Sequence, residues 1–333
     1  MEIVKHPELY CPLPRAINEH ADAIHRGTVD WVRRFELLPD KQAHRAFDTM
    51  GLGRLAARTH PNNSPDELQL ITDWYAWLFV RDDLGDESRI GRRPKELSAL
   101  DGRLLDVLEG AELTDLDEPL ASALYDLKKR LWEKRPPEAG MRRLVRAIGE
   151  HLEATVWEAT NRALEVVPDV ASYVRMRPLT GGLSIVTELT EIVEGNYLPV
   201  EIREHATVGR LTKASHNTVC WANDILSLEK ELRRGEVNNL VKVLRIEEGL
   251  TWQAAVDRAA DMHNAEMHVF VRLSEHLPSY GAEVDAALGR YLSGLRARAS
   301  GVLDWTYESG RYRVTEGSIL VVPEDASTTA AQR

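Results

Sequence analysis

The chain has 333 residues, of which 43% are hydrophobic and 29% are charged, and its formal net charge is −11. This balance allows a sizeable buried core, and the negative charge argues against wholesale binding of nucleic acid. No apolar run approaches the roughly 18 residues that span a bilayer, and the N-terminus lacks the apolar segment of a secretory signal, so we expect a cytoplasmic protein without a membrane span.

Apolar residues recur at helical spacing along most of the chain, and strand-like alternation is scarce. We find no fixed repeat and no interior linker, so the sequence predicts one all-α domain over residues 1–320. The Pro-rich start, to about Asp22, is expected to lie across the surface, and the polar end, 321–333, to be disordered. The predicted helices span 17–37, 41–58, 65–84, 94–109, 117–133, 138–166, 168–195, 201–234, 251–277 and 282–309.

The first feature with chemical content is an acidic patch at the end of predicted helix 65–84. Asp82, Asp83 and Asp86 form an Asp-Asp-x-x-Asp pattern. At about 100° per residue, Asp82 and Asp86 share a helical face with Tyr75 and Phe79, which lie one to two turns earlier. The pattern predicts either a metal-binding rim above an aromatic wall or an acidic helix end that leads into a solvated loop.

A break interrupts the helical pattern between Arg175 and Gly182. Pro178 removes a backbone N–H and disfavours helix at Arg177, and Gly181 with Gly182 permits dihedrals that other residues avoid. A helix broken inside a core exposes unpaired N–H and carbonyl groups, which can bind an anion and direct a carbonyl dipole at a cation. A plain connection between two helices is the alternative.

A second polar patch follows an apolar helical stretch. Asn223, Ser227 and Glu231 are spaced i, i+4, i+8, so all three can chelate one ion from one helix face. Lys230 beside them can meet a phosphate oxygen. A solvated charged face would explain the end of this patch, but it explains poorly why Asn223 and Asp224 directly follow apolar residues.

The ligand atoms in both patches are oxygens, which suit Mg²⁺ that shares its shell with substrate phosphates. Two such walls facing each other suggest an enzyme that holds a diphosphate. Near the C-terminus, Arg311 and Tyr312 follow Trp305. Arg311 is a candidate phosphate clamp, with a surface position that caps a helix as the alternative.

Together, these residues resemble the motifs of the class I terpene synthases, particularly the single-domain bacterial type. The aspartate-rich motif of that family matches Asp82, Asp83 and Asp86. Its asparagine-serine-glutamate metal motif matches at Asn223 and the positions that follow it. The resemblance covers residues 25–320 in order and spacing, with one departure at Thr180, where the family more often has Asp.

The resemblance implies an all-α, single-domain helical bundle of the class I terpenoid synthase type with a central apolar cavity and three Mg²⁺ ions at its mouth. The metal-binding residues of the first motif would be Asp82, Asp83 and Asp86, of which Asp82, helped by Asp86, would hold two ions. Asn223, Ser227 and Glu231 would hold the third. Arg177, Thr180 and Gly181 would be the diphosphate sensor, linker and effector of the helix break. The residues that would bind the diphosphate are Arg177, Lys230, Arg311 and Tyr312. The candidate aromatic residues of the cavity wall are Tyr75, Phe79, Trp221 and Trp305, and each is equally well explained as an ordinary core residue.

The implied reaction is the Mg²⁺-dependent ionisation of a linear prenyl diphosphate, most often farnesyl diphosphate, and cyclisation of the carbocation to a terpene hydrocarbon or alcohol with release of diphosphate. Geranyl and geranylgeranyl diphosphate are alternative substrates. No general base is evident in the sequence, and the diphosphate itself is a candidate acceptor of the final proton. The family often forms homodimers, and no patch in the sequence decides the oligomeric state.

Three other classes of protein are alternatives. A trans-prenyltransferase would carry a second Asp-Asp-x-x-Asp motif, and none follows residue 200. A protonation-initiated cyclase would need Asp-x-Asp-Asp, which residues 115–118 only approximate. A non-catalytic helical binding protein would not need oxygen ligands spaced i, i+4, i+8 near a helix break. An inactive relative of the cyclases is a further alternative, although every metal position is intact.

Overall fold

The computed structural model describes residues 2–114, 117–312 and 319–322, and within these residues the chain is a bundle of α-helices with one small antiparallel ribbon. The prediction of an all-α fold is confirmed. The helices are α1 (Ala21–Arg34), α2 (Lys41–Met50), α3 (Leu52–Thr59), α4 (Pro65–Glu87), α5 (Pro94–Glu109), α6 (Pro119–Glu133), α7 (Glu138–Leu164), α8 (Val170–Thr180), α9 (Leu183–Glu194), α10 (Val200–Arg203), α11 (Ala206–Arg233), α12 (Leu240–Glu247), α13 (Trp252–Glu275) and α14 (Ala282–Glu308), with a 3₁₀ turn over Arg89–Arg92.

Helix α4 shows how local sequence positions the first acidic patch. Ser64 caps its N-terminus in a reciprocal capping box with Glu67, and Pro65 occupies the first turn, where its missing N–H costs nothing. The helix continues to Glu87, beyond the predicted end at residue 84. Asp82, Asp83 and Asp86 therefore lie on the last turns of a helix rather than in a loop.

Three predicted helices are divided in the structure, and one of them, 201–234, is divided into α10 and α11. Gly51 adopts a left-handed φ of 69°, which a glycine tolerates without a steric penalty, and separates α2 from α3. Gly182, with φ of 65°, separates α8 from α9. Helix α8 itself continues through Pro178 to Thr180, so the break lies a few residues later than Pro178 alone indicated.

The two ends of the chain form structure that helical periodicity did not predict. Strand β1 (Glu2–Lys5) pairs antiparallel with β2 (Ile319–Val322), with Ile3 opposite Val321. The segment after β1 lies along α13, where the N–H of Tyr10 donates to Asn264 Oδ1 over 2.8 Å. Of the tail expected to be disordered, Val321 and Val322 belong to β2, and 323–333 lie outside the described residues.

Two hydrophobic clusters form the core. The first is built mainly from α1 to α7 and α9, around Trp74 and Trp77. The second is built from α8 and α11 to α14, around Tyr173 and Phe270. Residues from both sides line a cavity of about 240 Å³. Within the described part of the chain, no helix is both long enough and apolar enough to cross a bilayer.

Candidate active site

The cavity has a polar mouth and a mostly apolar interior. Tyr75 and Phe79 of α4 and Trp305 of α14 line the interior, whereas Asp82 and Asn223 lie at the mouth. Most of the site residues predicted from the sequence line this one cavity. They are Tyr75, Phe79, Asp82, Asp86, Arg177, Thr180, Gly181, Asn223, Lys230, Glu231, Trp305, Arg311 and Tyr312.

A buried ion pair anchors the acidic end of α4. The Arg81 guanidinium is fully buried and donates to both carboxylate oxygens of Asp101 on α5, over 2.8 and 2.6 Å. It also donates to Thr155 on α7 over 3.2 Å. Arg81 directly precedes Asp82, so this pair determines the orientation of the helix turn that carries the acidic patch.

The other two aspartates of the patch face arginines. Asp83 accepts two hydrogen bonds from Arg311, over 3.0 and 2.6 Å, a bidentate geometry that is among the strongest ionic contacts. Asp86 accepts a hydrogen bond from Arg162 of α7. Its pKa is raised well above the ordinary value by desolvation at the mouth and by the neighbouring Asp82. Asp82 and Asp86 line the cavity, whereas Asp83 is turned toward Arg311.

On α11, the predicted chelating set is assembled on one face. Ser227 Oγ lies 2.6 Å from Glu231 Oε1, and Glu231 Oε2 accepts a hydrogen bond from Asn239 over 2.8 Å. Burial and the nearby Asp224 carboxylate raise the pKa of Glu231. A cation bound by these oxygens would remove that electrostatic cost, so the donor set fits a divalent metal.

Arg177 connects α8 to α11. Its Nε donates to Asp224 over 2.8 Å, and its Nη2 donates to the amide oxygen of Asn223 over 2.8 Å. Asp224 is 1% exposed and also accepts hydrogen bonds from Tyr173 over 2.8 Å and from the N–H of Leu240 over 3.2 Å. The role of Asp224 in this structure is therefore to hold Arg177 and the start of α12.

The helix break between α8 and α9 presents backbone groups to the cavity. A Cβ on Gly181 would lie 2.9 Å from Cys220 Sγ, so a larger residue at position 181 would force Cys220 to shift. The side chain of His151 on α7 lies 3.0 Å, through Nδ1, from the carbonyl oxygen of Leu179 and holds the break against α7. Thr180, where the family more often has Asp, lies 3.4 Å from Arg177 Nη1.

Aromatic rings pack in series along one wall. The rings of Phe79 and Trp305 are 5.7 Å apart, as are those of Trp305 and Tyr312, and both pairs meet edge to face. Arg311 lies over Phe79 at 5.2 Å, and Lys230 lies over Tyr312 at 5.8 Å. The wall therefore connects the interior of the cavity with its cationic rim.

Trp221 differs from the expectation that it lines the cavity. It is 4% exposed and belongs to the second hydrophobic cluster, and it is not among the lining residues. The cavity-lining residues of this segment are Val219, Cys220 and Asn223. Position 221 points away from them because each residue turns the helix by about 100°. The structure therefore supports the interpretation of Trp221 as an ordinary core residue.

Arg162 is a site residue that sequence reasoning missed. Its guanidinium donates to Asp86, to Glu158 over 3.3 Å and to Glu236 over 2.8 Å, and it also contacts the Gly85 carbonyl over 3.2 Å. It thereby ties α7 to the end of α4 and to the loop after α11. A single arginine in a long amphipathic helix has no sequence signal that separates it from a surface residue.

Within the described residues, no group of three or more histidine, cysteine or carboxylate side chains converges to hold a metal by itself. The oxygen donors are divided between two walls, Asp82 and Asp86 on α4 and Asn223, Ser227 and Glu231 on α11. Metal ions between these walls would need further oxygens, which a diphosphate can supply.

A family model and several known proteins match this chain, and all of these matches are terpene synthases. A family model described as terpene synthase family 2, C-terminal metal binding, matches residues 73–268. Germacrene A synthase of Nostoc punctiforme is 33% identical over 310 residues, which cover 93% of this chain and 96% of that protein. The (+)-T-muurolol synthase of Roseiflexus castenholzii, described as cyclising (2E,6E)-farnesyl diphosphate, is 37% identical, with 93% and 94% covered.

Solved structures show the same fold. The crystal structure of linalool/nerolidol synthase from Streptomyces clavuligerus superposes with a TM-score of 0.80 at 26% identity, and the match covers 90% of this chain and 100% of that one. The helical arrangement is therefore shared along nearly the whole chain.

Proposed function

Because the chain belongs to the class I terpene synthases, we propose that it ionises farnesyl diphosphate in a Mg²⁺-dependent reaction and cyclises the carbocation to a sesquiterpene, with release of diphosphate. One observation carries this proposal. Oxygen ligands on α4 (Asp82 and Asp86) and on α11 (Asn223 and Glu231) line the mouth of a cavity whose interior is lined by aromatic rings. A polar, metal-binding mouth suits the diphosphate, and an apolar interior suits the prenyl chain.

The ligands proposed for three Mg²⁺ ions are Asp82, Asp86, Asn223, Ser227 and Glu231. When bound, the ions would neutralise the leaving diphosphate and lower the barrier to cleavage of the C–O bond. The carboxylate and amide oxygens fit a hard cation, and a bound cation would lower the pKa of Glu231, which burial raises.

Four side chains at the mouth are proposed to bind the diphosphate. Arg177 and Arg311 offer planar guanidinium groups, and Lys230 offers a point charge. In the structure Arg311 is paired with Asp83, and Tyr312 accepts a hydrogen bond from Asn223 Nδ2 over 3.1 Å. Binding of the diphosphate is expected to draw these cations over the mouth and to exclude water, which would otherwise capture the cation early.

The interior is proposed to stabilise the migrating charge. The faces of Phe79 and Trp305 present π electrons to a cation. At the helix break, Thr180 links Arg177 to Gly181, and among the described residues no backbone N–H donates to the Gly181 carbonyl oxygen. Its negative end therefore remains available to the nascent cation. Farnesyl diphosphate is favoured as substrate because the 37% identical relative is described as cyclising it.

The proposal is tested by incubating the purified protein with geranyl, farnesyl and geranylgeranyl diphosphate, with and without Mg²⁺, and by gas chromatography–mass spectrometry of a hexane extract. A cyclic product from farnesyl diphosphate that is absent without metal is expected. Asp82→Asn should lower turnover at least about 100-fold, whereas the matched control Asp30→Asn, on an exposed face of α1, should not. Normal turnover by Asp82→Asn would contradict the metal assignment.

A further inference from the structure

The interior of the cavity is not uniformly apolar, because Tyr75 and Arg298 line it about two helical turns from the metal-binding mouth. Tyr75 lies two turns, or about 10 Å, from Asp82 along α4. Behind Tyr75 lies His60, and behind His60 lies Glu194 at the end of α9. We refer to Tyr75, His60, Glu194 and Arg298 as the floor cluster.

The floor cluster places one hydrogen bond and one longer ionic contact in series. The Tyr75 hydroxyl lies 3.0 Å from His60 Nε2, within the 2.6–3.2 Å range for proton transfer. His60 Nδ1 is buried without a hydrogen bond and faces Glu194 Oε1 at 3.9 Å. His60 is almost fully buried, whereas the Glu194 side chain is 25% exposed. The series therefore leads from the cavity, through a buried imidazole, to a carboxylate in contact with solvent.

Burial favours the uncharged form of His60. Burial lowers its pKa, Glu194 raises it in part, and Arg298 lowers it further. The facing titratable groups are Tyr75 on α4, Glu194 on α9 and Arg298 on α14. Arg298 is 3% exposed and donates to the neutral hydroxyls of Thr187 and Thr190. A neutral imidazole beside a hydroxyl can accept a proton from it.

We propose that Tyr75 and His60 accept the terminal proton of the cyclised carbocation, and that Glu194 passes it to solvent. This inference rests on the proposed function. It assigns a base to the deprotonation that ends the reaction, for which the sequence showed no candidate.

The step balances without a further reactant. The electron pair of a C–H bond beside the cationic carbon forms the new C=C bond, and the proton moves to the Tyr75 oxygen. The original Tyr75 hydroxyl proton moves to His60 Nε2, which leaves Tyr75 neutral and His60 as an imidazolium. The imidazolium Nδ1–H faces the Glu194 carboxylate, and repulsion by Arg298 favours return of the proton through Glu194 to water.

Tyr75→Phe tests the proposal while keeping the aromatic ring against the cavity. His60→Gln keeps a hydrogen-bonding group near Tyr75 but removes the base. Thr59→Val is the matched control, because Thr59 Oγ1 is the other neighbour of the Tyr75 hydroxyl, at 3.3 Å. For each variant, the rate of diphosphate release from farnesyl diphosphate, the product distribution and the melting temperature are measured.

In Tyr75→Phe and His60→Gln, any fall in the rate of diphosphate release should be smaller than the change in the product distribution, because ionisation occurs at the mouth. The share of the main product should fall at least about ten-fold in both variants, in favour of products that end differently. The double variant should show no further change, since residues that act as a unit are not additive. Thr59→Val should keep the original products.

Unchanged products in Tyr75→Phe would overturn the proposal and leave Tyr75 as an aromatic wall. A product shift in Tyr75→Phe with original products in folded His60→Gln would also overturn it, as would an equal shift in Thr59→Val. If the melting curve shows that His60→Gln does not fold, Tyr75→Phe decides the question with Thr59→Val as control. Absence of diphosphate release by the unmodified protein would instead overturn the proposed function.

Discussion

Arg177 donates from Nη2 to the amide oxygen of Asn223 over 2.8 Å, which is the oxygen atom that the proposed function assigns to a metal ion. A guanidinium and a divalent cation on one amide oxygen repel each other. Binding of a cation at Asn223 therefore favours release of this oxygen by Arg177, while the bond from Nε to Asp224 can persist as a pivot. The released Nη2 would then be available to the diphosphate, so metal binding and anion binding should be coupled.

Magnesium and inorganic diphosphate together should stabilise the protein more than the sum of their separate effects. Neither wall holds a complete metal site among the described residues. The diphosphate would supply the oxygen ligands that the metal ions still lack, and the metal ions would supply positive charge that stabilises the bound diphosphate. At 100 times the dissociation constant, the joint ligand should add about 2.7 kcal/mol to the free energy of unfolding. Thermal melting with each ligand alone and with both measures this. Ser227→Ala should weaken the joint effect, and strictly additive shifts would contradict the coupling.

Arg177→Lys should lower turnover about 100-fold while changing the melting temperature little. Lysine keeps a positive charge beside the buried Asp224 but lacks the planar fork that contacts Asn223 and Asp224 together. Steady-state diphosphate release and thermal melting distinguish the two effects. Arg175→Lys, on the exposed side of the same helix, is the matched control. Near-normal turnover by Arg177→Lys would remove Arg177 from the proposed diphosphate site.

Asp101→Asn should destabilise the protein by about 3–5 kcal/mol, because it leaves the charge of the fully buried Arg81 without its carboxylate. Urea denaturation measures the free energy of unfolding. The control is Glu138→Gln, which breaks the exposed pair between Glu138 and Arg142 and should cost less than about 0.5 kcal/mol. Equal losses for the two variants would show that the Arg81 pair does not anchor the end of α4.

The stability of the protein should decrease below pH 6.5 in part through His216. Burial, and then Arg298, lowers the pKa of His216 to about 3 in the folded protein. Between pH 6.5 and about 3, the unfolded chain therefore binds a proton that the folded protein does not. At pH 5.5 this costs about 1.4 kcal/mol. Urea denaturation at pH 7.5 and 5.5 should show this loss in the unmodified protein.

His216→Asn should lack that part of the loss, so the stability difference between variant and unmodified protein should narrow by about 1.4 kcal/mol on acidification. His276→Asn, at an exposed position, serves as the control, and its stability difference should stay constant. A difference for His216→Asn that does not change with pH would show that the folded protein protonates His216 as readily as the unfolded chain.

Much of the fold could be predicted, because helical periodicity and capping are local signals. The long helices α4, α7, α11, α13 and α14 were all anticipated, and membership of the class I terpene synthases is confirmed by the family model and by relatives that are 33% and 37% identical. Helix α12 was missed because it spans only Leu240–Glu247. The β1–β2 ribbon was missed because its two strands come from opposite ends of the chain.

The sequence by itself determined which residue types lie on one helix face, since spacing along a helix translates directly into direction. The prediction that Asn223, Ser227 and Glu231 share one helix face required no tertiary information. Only the tertiary structure decided which residues meet across helices: Asp83 with Arg311, 228 residues apart, and Tyr75 with His60. The tertiary structure also decided that Trp221 faces the core. Periodicity reports the exposed and buried sides of a single element, whereas partners depend on how elements pack, which no local pattern contains.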